Sequence, residues 1–120
     1  MNKDKFFGLM YNVLTTIKLM HLSRAGNSAM NEHLILQEMY KYLDNWLDDF
    51  IKTLQGEELR ILDIEVPKSV NTNSVEEYLL TAKNYIGSVR NLFDKSWQNS
   101  KLDELESQFN KTIYKIHFLK

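Results

Sequence analysis

The chain has 120 residues, 43% of them apolar and 26% charged, with a formal net charge of -1 at pH 7. That length suits one domain with one core, and the near-neutral balance excludes a strongly basic nucleic-acid domain. Cysteine is absent, which removes disulfides, thiol nucleophiles and thiolate metal sites from consideration.

No apolar run approaches the ~20 residues that span a bilayer, so no membrane partner is expected. The N-terminal MNKDKFFGLM lacks a signal-peptide core and cleavage site. The expected location is a cytoplasm, or a particle assembled in one. A single proline and four glycines fit an all-α protein, because both residues interrupt helices.

The first predicted helix covers residues 3–24. Phe6, Met10, Val13, Leu14, Ile17 and Met20 recur at three- and four-residue spacing and give it one apolar face. His21 continues that stripe, and Gly26 is the expected terminator. Asn27 or Ser28 then caps a second helix over 29–55, with Glu32 in its first turn. Its stripe runs through Leu36, Met39, Tyr40, Leu43, Trp46, Leu47, Phe50, Ile51 and Leu54, and Gly56 is expected to end it. At ~1.5 Å per residue this helix is about 40 Å long.

Residues 57–73 follow neither helical nor strand periodicity, and Pro67 interrupts them. Fully extended, such a segment reaches about 56 Å, enough to return along the whole second helix. Ser74-x-x-Glu77 reads as a capping box opening a third helix over 75–97. Its stripe passes Val75, Tyr78, Leu79, Ala82, Tyr85, Ile86, Val89, Leu92, Phe93 and Trp97, with Gly87 inside it, where close helix packing is the expected reason. Asn99 or Ser100 opens a fourth helix over 101–118, with apolar Leu102, Leu105, Phe109, Ile113 and Ile116. Short links join antiparallel neighbours, and the long link lets the second and third helices run parallel. The expected fold is an all-α, ferritin-like four-helix bundle with one long crossover, in a single domain over residues 1–120.

Di-iron bundles of that class draw on Glu-x-x-His pairs, and the chain contains none. A different pattern is present. Counted from His21, Gly26 falls at +5, His33 at +12, Tyr40 at +19 and Asp48 at +27. This spacing resembles the Dps family of mini-ferritins, whose corresponding segment reads His-Trp-Asn-x-x-Gly, then a second His, then Asp and Glu. The terminal FNKTIYKIHFLK is similar to that family's last helix. The resemblance covers most of the chain in helix order and is specific across residues 21–52. It fits a short, divergent member of the kind a phage genome carries.

The resemblance implies an iron site at a two-fold interface between subunits of a homo-oligomer. His21 and His33 come from one subunit and Asp48 from the other. Neutral imidazole and carboxylate are suitable ligands for Fe(II). The family's Glu ligand falls at residue 52, which here is Lys52. Lys52 stands one turn after Asp48, where it is placed to pair with it. The tryptophan after the first histidine is Leu22, and Ala29 stands where an aromatic usually precedes the second. The basic tail that some members use on DNA is reduced to Lys3 and Lys5, so DNA is not an expected partner. The alternative expectation is a bundle that kept the fold, lost the metal and serves as a structural or interaction module.

The plainer readings are structural. His21 and His33 are helix-end histidines with ordinary hydrogen bonds. Asp44, Asp48 and Asp49 form a solvated face. Trp46 and Trp97 are core or interface anchors, and the methionines fill the core. His117, in the last turn, is expected to be exposed. No Ser/His/Asp set, phosphate loop or glutamate pair points to another enzyme class.

Overall fold

A computed structural model of the chain describes residues 1–23, 30–68 and 74–119. It contains four α-helices: α1 (Lys3–Ser23), α2 (Met30–Glu58), α3 (Val75–Val89) and α4 (Ser96–Phe118). A 3-10 turn at Arg90–Leu92 lies between the last two. No strand occurs among the described residues. The expected terminator Gly26, the caps Asn27 and Ser28, and Ala29 lie outside them.

Contacts at the helix ends fix how the helices run. The α1 backbone carbonyl of His21 meets His33 near the start of α2, while Lys3 at the start of α1 pairs with Glu58 at the end of α2. The two are therefore antiparallel. Asn31 of α2 donates to the Leu119 carbonyl just past α4, and the Trp46 indole donates to the Lys101 carbonyl near the start of α4. His117 of α4 pairs with Glu76 at the start of α3, and Arg90 just past α3 pairs with Asp103 in α4. Thus α2 and α3 are both antiparallel to α4 and run in the same direction.

That direction requires the chain to return from the end of α2. Leu59 makes the corner with φ 53°, a left-handed conformation that costs a residue with a side chain about 1–2 kcal/mol. The Gln55 side chain then accepts from the Leu62 amide at 2.9 Å, and residues 60–67 lie along α1. Asp4 accepts from Arg60 at 3.1 Å and from the Asp63 amide at 2.8 Å. The hydrogen bond from Arg60, seconded by that amide, holds the Asp4 carboxyl below its usual value. Asn12 donates to the Pro67 carbonyl at 2.9 Å. Gly8 makes the close approach possible, because a β-carbon there would stand 2.0 Å from the Glu65 carbonyl oxygen.

An aromatic cluster fills the core near the start of this strap. Phe50 packs edge-on to Phe7, Trp46 and Phe93 with ring centroids 5.1–5.3 Å apart, and Phe6 meets Phe93 at 5.7 Å. All four phenylalanines are fully buried. Glu57 closes the outside of the cluster, accepting from Lys95 and from the Trp97 indole at 2.9 Å. Both tryptophans therefore act as anchors, with their indole N–H groups partnered as burial demands. Met10, Met20 and Met39 are buried in the core.

Three boundaries differ from the periodicity. The second helix passes Gly56 and ends at Glu58, since Gln55, Arg60 and Asp4 fix the corner by side-chain hydrogen bonds. The third helix does not reach Trp97. It ends at Val89, Phe93 is extended at φ -120° and ψ 92°, and α4 begins at Ser96 rather than near residue 101. Val89 and Phe93 are buried, so the apolar spacing reports burial while the backbone turns between them. The α4 start uses Lys95 and Gln98, whose buried side chain accepts from the Lys95 amide at 3.3 Å. Asn99 spans the turn instead of capping, donating to the Phe93 carbonyl. At Ser74 the expected cap forms, its hydroxyl accepting from the Glu77 amide at 3.2 Å. Gly87 has open space around it and not the expected close packing.

Candidate functional site: a stacked histidine pair

The end of α1 carries His21 on the flank that faces α2, and three turns separate it from Tyr11 on the same side. The start of α2 carries His33. The antiparallel pairing lays the two imidazoles together, with ring centroids 3.9 Å apart and planes at 30°. Tyr40, two turns along α2, sets its ring edge-on to His21 at 5.1 Å. Lys18 extends over the Tyr40 ring at 5.7 Å, a cation–π distance.

The two imidazoles are bonded differently. Nδ1 of His33 lies 3.0 Å from the His21 carbonyl oxygen. A carbonyl only accepts, so Nδ1 carries the proton, and in the neutral ring Nε2 bears the lone pair. Metal-binding histidines are oriented in this way, with the far N–H given to a carbonyl or carboxylate. His21 is 7% exposed, and neither of its buried ring nitrogens has a hydrogen-bond partner among the described residues. A buried polar group left unpaired costs about 1–3 kcal/mol. Burial lowers the His21 pKa below its ordinary value, and the nearby His33, Lys41 and Lys18 lower it further. At neutral pH the ring is uncharged and its lone pair is available.

Two neutral imidazoles suit zinc, copper, iron or nickel. A pair alone is short of the four or more positions such ions fill, and the described residues of one chain gather no group of three or more metal-ligating side chains. The unpartnered nitrogens of His21 and the Nε2 of His33 are donor atoms of the kind such metals take, and the remaining ligands would have to come from outside the chain.

Asp48 is not near the pair. It lies on the same helix about 22 Å further along the axis, on the solvent side. Its carboxylate accepts from Lys52 at 2.9 Å, with both side chains largely exposed. The hydrogen bond to Asp48 raises the Lys52 pKa, so the ammonium stays charged. Asp49 faces α4 and pairs with Lys101, and Asp44 is exposed. The structure thus joins His21 to His33 and Asp48 to Lys52, and keeps the two pairs apart. His117 is exposed, as expected, and paired with Glu76.

Periodicity did not single out Lys18 and Lys41, which flank His21 electrostatically. The signal for Lys18 was its position one turn before His21 on the same helix face. Lys41 gave no local signal, because its effect depends on the crossing of two helices. No protein-family model matches the chain, and neither a curated protein nor a solved structure matches it.

Proposed function

We propose that the chain is a Dps-like mini-ferritin, a short and divergent member of the ferritin-like superfamily. Its four helices form a bundle with a long crossover between α2 and α3. Fe(II) is its substrate, held by His21 and His33 of one copy and Asp48 of another, across a two-fold interface of a homo-oligomer. The reading places it in a cytoplasm or a particle assembled there, with no DNA partner.

The carrying observation is the histidine pair. His21 is buried with both ring nitrogens unpartnered, against a His33 whose Nδ1–H is given to a backbone carbonyl. The parallel course of α2 and α3 supports the fold assignment, since one crossover of this kind defines the ferritin-like connection. In this reading the chain's residues do three things. His21 and His33 bind iron through nitrogen, Tyr40 shields the His21 ring, and Asp48 supplies the anionic oxygen. Lys52 competes with iron for Asp48. An exposed i,i+4 pair holds weakly, so a divalent cation can displace it.

The test is oxidation of Fe(II) in aerated buffer, followed by near-UV absorbance, for the wild type, His21→Ala and Lys52→Glu. Iron oxidation by the wild type that His21→Ala abolishes is the expected result. Fe(II) or Zn(II) should also raise the melting temperature by linkage. Activity in Lys52→Glu alone would favour a second reading, in which the bundle has lost the metal and is a structural or interaction module. The Asp48–Lys52 ion pair is the observation behind that alternative.

A further inference from the structure

The strap that returns from α2 is spaced as extended chain. The Asp63 amide meets Asp4, the Glu65 carbonyl comes down on Gly8, and the Pro67 carbonyl meets Asn12. Each pair of strap residues therefore covers four residues of α1, or about 6 Å at ~1.5 Å per helical residue. That is about 3 Å per strap residue, close to the rise of a β-strand. Burial alternates to match. Leu62 is buried and Ile64 half-buried, while Ile61, Asp63 and Glu65 are exposed. In extended chain the N–H and C=O of one residue point to one edge, and those of the next residue to the other. Asp63, Glu65 and Pro67 turn theirs to α1, so Ile64 and Val66 turn theirs away from it. No backbone hydrogen bond of Ile64 or Val66 forms among the described residues. The open row is held in place by Asp4, Gly8 and Asn12, so it is ordered before anything binds.

We propose that this outer edge takes a basic, extended peptide segment of a partner protein as an added strand. The amides and carbonyls of Ile64 and Val66 supply the backbone hydrogen bonds. Asp63 and Glu65 stand two residues apart on one face of the strap, exposed and without an ion pair among the described residues. Lysine or arginine at alternate positions of the segment faces them, because opposite charges attract across paired strands. The positions between are apolar and lie opposite Ile64 and Val66. A notch of about 380 Å³ adjoins the Val66 end of the edge, lined by Met1, Lys5, Leu9, Glu65, Val66 and Pro67, and has room for one of those apolar side chains. A second copy does not fit this edge. Two straps paired together would set Asp63 and Glu65 against the same carboxylates, and edge charges of this kind are how exposed strands avoid self-pairing. The inference uses no residue of the histidine site and stands apart from the iron reading.

Amide exchange of the full chain, read by NMR while a capped peptide of alternating lysine and valine is titrated in, tests it. The Ile64 and Val66 amides should exchange fast in the free protein and slow down at saturation. The Asp63 amide, already bonded to Asp4, should change little. The same peptide N-methylated at its valines keeps its charge but loses the amides that face the strap, and should bind about tenfold more weakly. Asp63→Lys/Glu65→Lys should reject the lysine–valine peptide and accept a glutamate–valine one. Val66→Pro removes one edge donor without touching the α1 side and should weaken binding about two- to tenfold. Thermal melting checks that each variant is folded, and the N-methylated peptide tests the wild type whether or not they are. Protection of the Ile64 and Val66 amides in the free chain overturns the proposal, because the chain itself or another copy then already covers the edge. So does the absence of binding, binding that survives N-methylation, or binding that leaves both amides unprotected.

Discussion

The two ends of the molecule spend their polar groups differently. At the end where α1 begins and α2 finishes, the aromatic rings and the charged groups around them are partnered, although Leu59 and Ile61 of the strap stay exposed. Phe6, Phe7, Phe50 and Phe93 pack ring to edge, both indole N–H groups are bonded, and Glu57, Glu58, Arg60 and Asp4 are tied by ion pairs. At the opposite end, both ring nitrogens of His21 are buried without a hydrogen-bond partner among the described residues, and Leu19, Leu22, Met30, Leu34 and Phe118 face outward. Stability is concentrated at the first end, and unsatisfied chemistry at the second. Sites that bind something are drawn from places where the fold alone leaves groups unpaired.

The sharpest way to break this contrast is to hollow the aromatic end. Phe50→Ala should cost about 3–5 kcal/mol in urea unfolding, as loss of a fully buried ring does. An equal cost from Leu22→Ala, at the exposed end, would erase the distinction. Gly8→Ala comes next. Its added methyl overlaps the Glu65 carbonyl and should cost about 1–3 kcal/mol as overpacking, with faster proteolysis between residues 59 and 68.

At the histidine end the signs reverse. His21→Leu removes two unpaired nitrogens and should stabilise the metal-free chain by about 1–3 kcal/mol, while abolishing any metal-induced rise in melting temperature. It should also flatten the acid side of the stability profile. Burial holds the His21 pKa below its ordinary value, which is near ~6.5 in the unfolded chain. The contribution of a neutral His21 is therefore complete above about pH 6.5. It is lost as pH falls from there toward the lowered folded value, because the unfolded chain binds the proton first. Comparing wild type and His21→Leu between pH 7.5 and 5 by thermal melting isolates that slope. The smallest effect is expected at Gly87, exposed near the end of α3. With open space around it, Gly87→Ala should stabilise α3 by about 0.5–1 kcal/mol.

Much of this was legible in the residues, for identifiable reasons. The stripes from Phe6 to Met20 and from Leu36 to Leu54 predict α1 and the body of α2, since an amphipathic helix needs nothing beyond its own period. Ser74 was readable as a cap because the cap bond is local. The break at Phe93 was not, since Val89, Leu92, Phe93 and Trp97 keep helical spacing across a backbone that turns. Gly8 gave no sign of its role, which comes from a carbonyl 57 residues later in the chain. At the site, a shared location for His21 and His33 was what the family resemblance implied. Which nitrogen is protonated, and which ring lacks a partner, did not follow from spacing.

The sequence by itself determined that there are four helices, their apolar faces and the long connection before Ser74. These are properties of short windows, set by period, by caps and by the chemistry of single side chains. The length of that connection already led to the expectation that α2 and α3 run the same way, as they do; only the tertiary structure decided that the strap lies on Gly8. It also decided that His21 stacks on His33 while Asp48 stays with Lys52. Those outcomes depend on which surfaces meet after the chain has folded back on itself, and no local window contains that information.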